Sequence, residues 1–154
     1  MKKLNNNKKG FTLIELLAVI VILAILVMVA IPAVTKYLNA ARQGTFADNA
    51  HSAISAVRND VIKNGNGTIT YELVDINKLL ERKLNTSPFG ADYDKNSYIT
   101  VTQTCSTTNE CTYEYKMCLA DSEGHGFKDV EENNIKDTEV KMSGVKCNTT
   151  QQNP

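Results

Sequence analysis

The chain has 154 residues with 17 basic and 17 acidic side chains, so its formal net charge is zero. That length suits one modest domain with an appendage rather than two full domains. Lys2, Lys3, Lys8 and Lys9 all precede Gly10, which leaves 13 basic against 17 acidic groups in residues 11–154 and excludes a bulk nucleic-acid binder.

The first predicted element is apolar. Every residue from 16 to 31 is apolar, and the only charge between Phe11 and Lys36 is Glu15. As a helix, residues 11–34 would span roughly 36 Å at about 1.5 Å per residue, enough to cross a bilayer with some tilt. The four lysines before it place the N-terminus in the cytoplasm and the remainder outside. A cleavable secretory signal needs small residues two apart near the end of the apolar run. No two alanines in residues 11–41 stand two apart, and a cut after Ala33 would put Ile31 at the outer small position. The segment therefore reads as retained. Pro32 removes one helical hydrogen bond near its outer end and is expected to kink or loosen the helix there. Glu15 is costly in hydrocarbon. One reading places it at the headgroup level, where a helix N-terminus favours an acid.

Residues 10–15, G-F-T-L-I-E, follow a short lysine-rich leader and open a long apolar helix. In this they resemble the class III signal of type IV prepilins; residue-specific likeness covers about residues 8–63, and beyond that only the layout is similar. The resemblance implies that a prepilin peptidase cuts after Gly10 and that Phe11 is N-methylated. It implies membrane-inserted storage of the precursor, extraction by inner-membrane assembly machinery, and a surface filament made of many copies of the chain. Cleavage creates an α-amine on Phe11 one helical turn from Glu15, close enough for an i, i+4 ion pair within one chain or a pair with a neighbouring subunit. Glu15 and Pro32 are thus the expected assembly residues, with Gly10 and Phe11 the processing site. Within this class, a type II secretion pseudopilin or a competence pilus subunit is the alternative. From another class, the alternative is a single-span anchor carrying an extracellular binding domain.

Past the membrane, Leu38, Ala41, Phe46, Ala50, Ile54, Val57 and Val61 recur at three- and four-residue steps, an amphipathic continuation of the helix through residues 35–63. Gly44 is expected to loosen it locally, and Asn64-Gly65-Asn66-Gly67 to end it. His51 on this helix reads as solvated or partly packed. Residues 64–154 form the expected head. Within it, residues 75–84 predict a short helix with Asp75 as N-cap and Ile76, Leu79, Leu80 and Leu84 on one face. Ser87-Pro88-Phe89-Gly90 predicts a turn.

Residues 98–119 predict a β-hairpin, because apolar and threonine positions alternate in both arms. With Cys105 facing Cys111, Val101 faces Tyr115 and Ile99 faces Met117, which puts the larger apolar groups on one face. This register favours a Cys105–Cys111 bridge and leaves Cys118 for Cys147; two other connectivities remain open. The intervals between the four cysteines, five, six and twenty-eight residues, are poor zinc spacing, and an even count behind an export segment reads as two disulfides. A bridge from the sheet to Cys147 resembles the disulfide-bounded C-terminal loop of many pilins, here residues 120–147. Residues 137–143 are expected to add a third strand, and the tail from Asn148 to fray.

Residues 121–132 partly imitate a calcium loop, with Asp121, Glu123, Asp129 and Glu132 at the first, third, ninth and twelfth places and Gly126 at the sixth. His125 at the fifth place and the missing flanking helices favour a solvated acidic loop. The S-x-x-K match at Ser143 and Lys146 lacks its partner motifs. His125 has no evident nucleophile beside it in sequence, and the N-x-S/T sites at Asn66, Asn85 and Asn148 assign no function. No metal, cofactor, catalytic residue or nucleic-acid partner is expected. Together the residues read as an α+β chain: a long N-terminal helix, apolar then amphipathic, packed on a small antiparallel sheet with a disulfide-bounded C-terminal loop.

Overall fold

A computed structural model of the chain describes residues 10–64, 67–107 and 110–148. The leader lysines, Gly65 and Asn66 of the helix-ending run, and the tail after Asn148 lie outside the described residues. The chain divides into two compact units, the first ending at Asn39 and the second beginning at Ala40. Helix α1, Leu13–Asn64, contributes residues to both.

In the first unit every described residue through Leu38 is exposed. Large apolar side chains make up most of that surface, including Leu16, Leu23, Ile25 and Met28. The helix runs unbroken through Pro32 and, in the second unit, through Gly44. The Thr35 hydroxyl donates to the Ile31 carbonyl one turn back (2.9 Å), the usual way such a side chain is satisfied inside an apolar helix.

In the second unit, α1 buries Phe46, Ala47, Ala50, Ala53, Ile54, Val57 and Val61. The spacing is helical, and the alanines let the helix approach the sheet closely. Leu38 and Ala41, expected on the same stripe, are exposed; burial starts only at Phe46. The partners are Ile99, Val101, Tyr115, Met117, Leu119 and Phe127 of one sheet. That sheet has four antiparallel strands in sequence order: β1 Ile69–Glu72, β2 Tyr98–Cys105, β3 Cys111–Ala120 and β4 Gly126–Glu131. The β2–β3 register sets Ile99 against Met117, Val101 against Tyr115 and Cys105 against Cys111. β1 adds Tyr71 beside Ile99. Its hydroxyl, at the rim of the core, donates to Asp60 of α1 (2.9 Å).

Several local expectations are corrected. Helix α2 is Leu73–Leu79, not residues 75–84, and its N-cap position is Glu72 without a side-chain cap. Asp75 instead lies in the first turn, paired with Lys78. The helix stops because Asn77 captures the backbone of Leu84 at both ends, accepting from its N–H (2.7 Å) and donating to its carbonyl (3.3 Å). A side chain that bonds backbone in this way competes with continued helix. Leu84 is therefore buried from outside the helix. Residues 137–143 form a 3-10 turn, Asp137–Glu139, and a single bridge from Lys141 to Gly126, not a third strand.

The supposed acidic loop contains β4. Its pairing with β3 slips between Met117 and Leu119: Leu119 sits opposite Phe127, but Met117 sits opposite Val130. β4 thus carries an extra residue, and Asp129 takes a left-handed conformation (φ 51°) within that bulge. The Tyr98 hydroxyl donates to the Asp129 carboxylate (2.5 Å).

The C-terminal segment wraps the sheet. Glu132 pairs with Arg58, His51 Nε2 donates to the Ile135 carbonyl (3.1 Å), and Gln43 donates to the Val140 carbonyl (3.1 Å). Residues 132–140 therefore run antiparallel along α1. Lys141 then bridges the β4 edge, and Val145 and Cys147 pack with Cys118 and Ala120 in a separate apolar cluster. The two disulfides are Cys105–Cys111 and Cys118–Cys147, so a bridge bounds this C-terminal loop.

Candidate processing and assembly segment

Gly10 is the first described residue, and a Cβ added to it would meet nothing within 4 Å. Among the described residues, nothing crowds this position. Phe11 follows with 92% of its surface exposed and no ring partner among the described residues.

The next four residues close a capping box. The Glu15 N–H donates to Thr12 Oγ1 (3.3 Å), while the Glu15 carboxylate accepts from the Thr12 N–H (2.8 Å) and from the Thr12 hydroxyl (2.7 Å). Two backbone donors that the first turn leaves unpaired are thereby satisfied. Glu15 thus has a structural partner before any cleavage, and that partner is Thr12. Thr12 was the residue overlooked in the sequence. The T-x-x-E spacing ahead of an apolar run was the available signal. Pro32 lies seventeen positions further along the same helix and touches none of this group. Here Phe11 N is a peptide nitrogen, so the structure brings Glu15 to Thr12 and not to an amine.

The family model of the prokaryotic N-terminal methylation motif matches residues 5–31. The chain carries a class III signal peptide. The matched segment is similar to the class III signal peptide of type IV pilins and pseudopilins, and in this chain it opens a long apolar helix. The chain matches no curated protein and no solved structure.

In the head, the four cysteines expected in bridges are all oxidised. The acids of the supposed calcium loop do not converge. Asp129 accepts from Tyr98 and Glu132 pairs with Arg58. Asp121, expected to be solvated, has a side chain with no exposed surface. Its carboxylate accepts from the Ser87 hydroxyl (2.7 Å), from the N–H groups of Glu123 and His125 (3.1 and 2.9 Å), and contacts His125 Nδ1 at 2.9 Å. Burial pushes this carboxyl up, but the Ser87 hydroxyl and the His125 backbone and ring outweigh it and hold it below the usual carboxylate range. The His125 ring stacks on Phe89 (4.2 Å), and Phe89 and Tyr93 lie against Phe46. The network ties residues 85–94 to the end of β3. Ser87 reaches the carboxylate rather than the imidazole, so the three side chains are not arranged as a nucleophilic triad.

Proposed function

We propose that the chain is a structural subunit of a type IV pilus. It would be processed after Gly10 by a prepilin peptidase, N-methylated at Phe11, and assembled from the cytoplasmic membrane into a surface filament by inner-membrane machinery. The observation that carries this reading is the junction of the methylation motif with a helix half whose apolar surface is wholly exposed. So large an apolar surface is unstable in water and must face lipid or copies of itself. The chain acts by assembly and not by catalysis.

Cleavage changes the chemistry around Glu15. A positive amine appears on Phe11 beside a carboxylate already held by Thr12. In a filament core of low dielectric, an unpaired carboxylate is strongly disfavoured, so subunits that offer it a second donor stack in one register. N-terminal sequencing of the mature protein tests the reading. N-methyl-Phe11 is the expected first residue; an intact Met1, or a cut near Ala33, overturns it.

A further inference from the structure

The two disulfides occupy opposite environments. Cys118 and Cys147 are 1% and 2% exposed and sit in their own apolar cluster. Cys105 and Cys111 are both exposed and face each other at the tip of the β2–β3 hairpin. The hairpin does not depend on the tip bridge for its register. Below it, the ladder continues from Thr104–Thr112 to Tyr98–Cys118, and the buried pairs Val101–Tyr115 and Ile99–Met117 lie well inside. A thiolate can therefore reach the tip bridge in the folded head, and opening that bridge removes no core contact.

One further contact makes the bridge asymmetric. Gln103 Nε2 donates to Cys105 Sγ (3.3 Å), and its amide oxygen is fixed by accepting from the Gly67 N–H (2.6 Å). A fixed donor on one sulfur stabilises negative charge there and makes that sulfur the better leaving group.

We infer that Cys105–Cys111 is a thiol-exchange site in the folded protein, with a dithiol of the oxidoreductase class as its co-substrate and Cys111 as the sulfur attacked. The attacking thiolate forms a bond to Cys111 Sγ as the Cys105–Cys111 bond breaks, and the electron pair leaves on Cys105, which takes a proton from water. The second thiol of the dithiol then attacks the mixed disulfide. Cys111 is released as a thiol, and the dithiol becomes the oxidised partner. The inference does not depend on filament assembly.

The test uses the full-length chain in detergent, brief exposure to 2-mercaptoethanol at pH 8, trapping with N-ethylmaleimide, and peptide mass spectrometry. The expected product carries the mercaptoethanol adduct on Cys111 and maleimide on Cys105, with Cys118 and Cys147 unlabelled and the circular dichroism unchanged. Labelling of all four cysteines at similar rates, or no labelling until the head unfolds, overturns the site. An adduct chiefly on Cys105 overturns the direction of attack. In Gln103→Ala, the excess of Cys111 over Cys105 adduct should fall at least about threefold, as the leaving-group bias disappears; an unchanged ratio removes Gln103 from the mechanism.

Discussion

Residues 13–38 and residues 46–61 belong to one helix but solve opposite problems. The first stretch is apolar on every side through its membrane-length run, and its described residues are exposed. The second confines its apolar groups to one stripe and buries them against a sheet. The difference shows where each stretch finds its stability. The head is complete within one chain: among the described residues, no buried side-chain nitrogen or oxygen lacks a partner. The apolar stretch is satisfied along its backbone and at its capped first turn, and its side chains need a lipid or protein surrounding.

Substitutions should separate these two regions. The largest effect is expected from Glu15→Ala, which should abolish surface filaments by electron microscopy while leaving the thermal unfolding of the head unchanged. Filaments at normal yield, or a destabilised head, would break the division. Within the head, opening the Cys118–Cys147 bridge with the double variant Cys118→Ser/Cys147→Ser should cost about 3.5 kcal/mol by denaturant titration, against about 2 kcal/mol for the shorter Cys105–Cys111 loop. Gly126→Ala should cost about 3 kcal/mol, because its Cβ would lie 2.0 Å from the Leu119 carbonyl oxygen at φ +147°; full-length protein melting normally would remove the close approach as a constraint.

Acid should also discriminate between the regions. Asp121 titrates below the ordinary carboxylate range in the folded head, so its contribution to stability is fully present above the unfolded pKa of about 3.9. That contribution is lost as pH falls through the folded value. Thermal midpoints measured from pH 5 down to pH 2 should fall, and less steeply in Asp121→Asn. The smallest effect is expected at Gly44. An added Cβ meets nothing within 4 Å, so Gly44→Ala should stabilise the head by about 0.5–1 kcal/mol. A loss of stability there would show that the glycine is needed for packing within the chain.

Much of the layout was legible because its signals are local. The hairpin declared its register through alternation in both arms and a cysteine at each tip position, and the structure pairs the same residues. Both edge strands were missed. β1 is four residues long, with Ile69 and Tyr71 as its only apolar positions. β4 has Phe127 and Val130 three apart, because the bulge at Asp129 breaks the two-residue period that identifies a strand. The end of α2 was misplaced for a different reason. The apolar spacing of Leu79, Leu80 and Leu84 suits a helix, but Asn77 bonds the Leu84 backbone, a tertiary choice that periodicity does not record. At the N-terminus, Glu15 was read through its charge alone, and its bonds to Thr12 were overlooked.

The wrapped C-terminal segment also fixes when the head can form. Gln43 holds the Val140 carbonyl across 97 positions, and Cys147 reaches back to Cys118. A growing chain offers α1 first, the strands that cover its apolar stripe next, and these closing contacts last. The tip bridge needs only six positions and can close long before then. Maturation is therefore staged from a local crosslink to a final long-range one, and loss of the residues after Glu131 should leave the stripe on its sheet while Gln43, His51, Arg58 and Cys118 lose their partners.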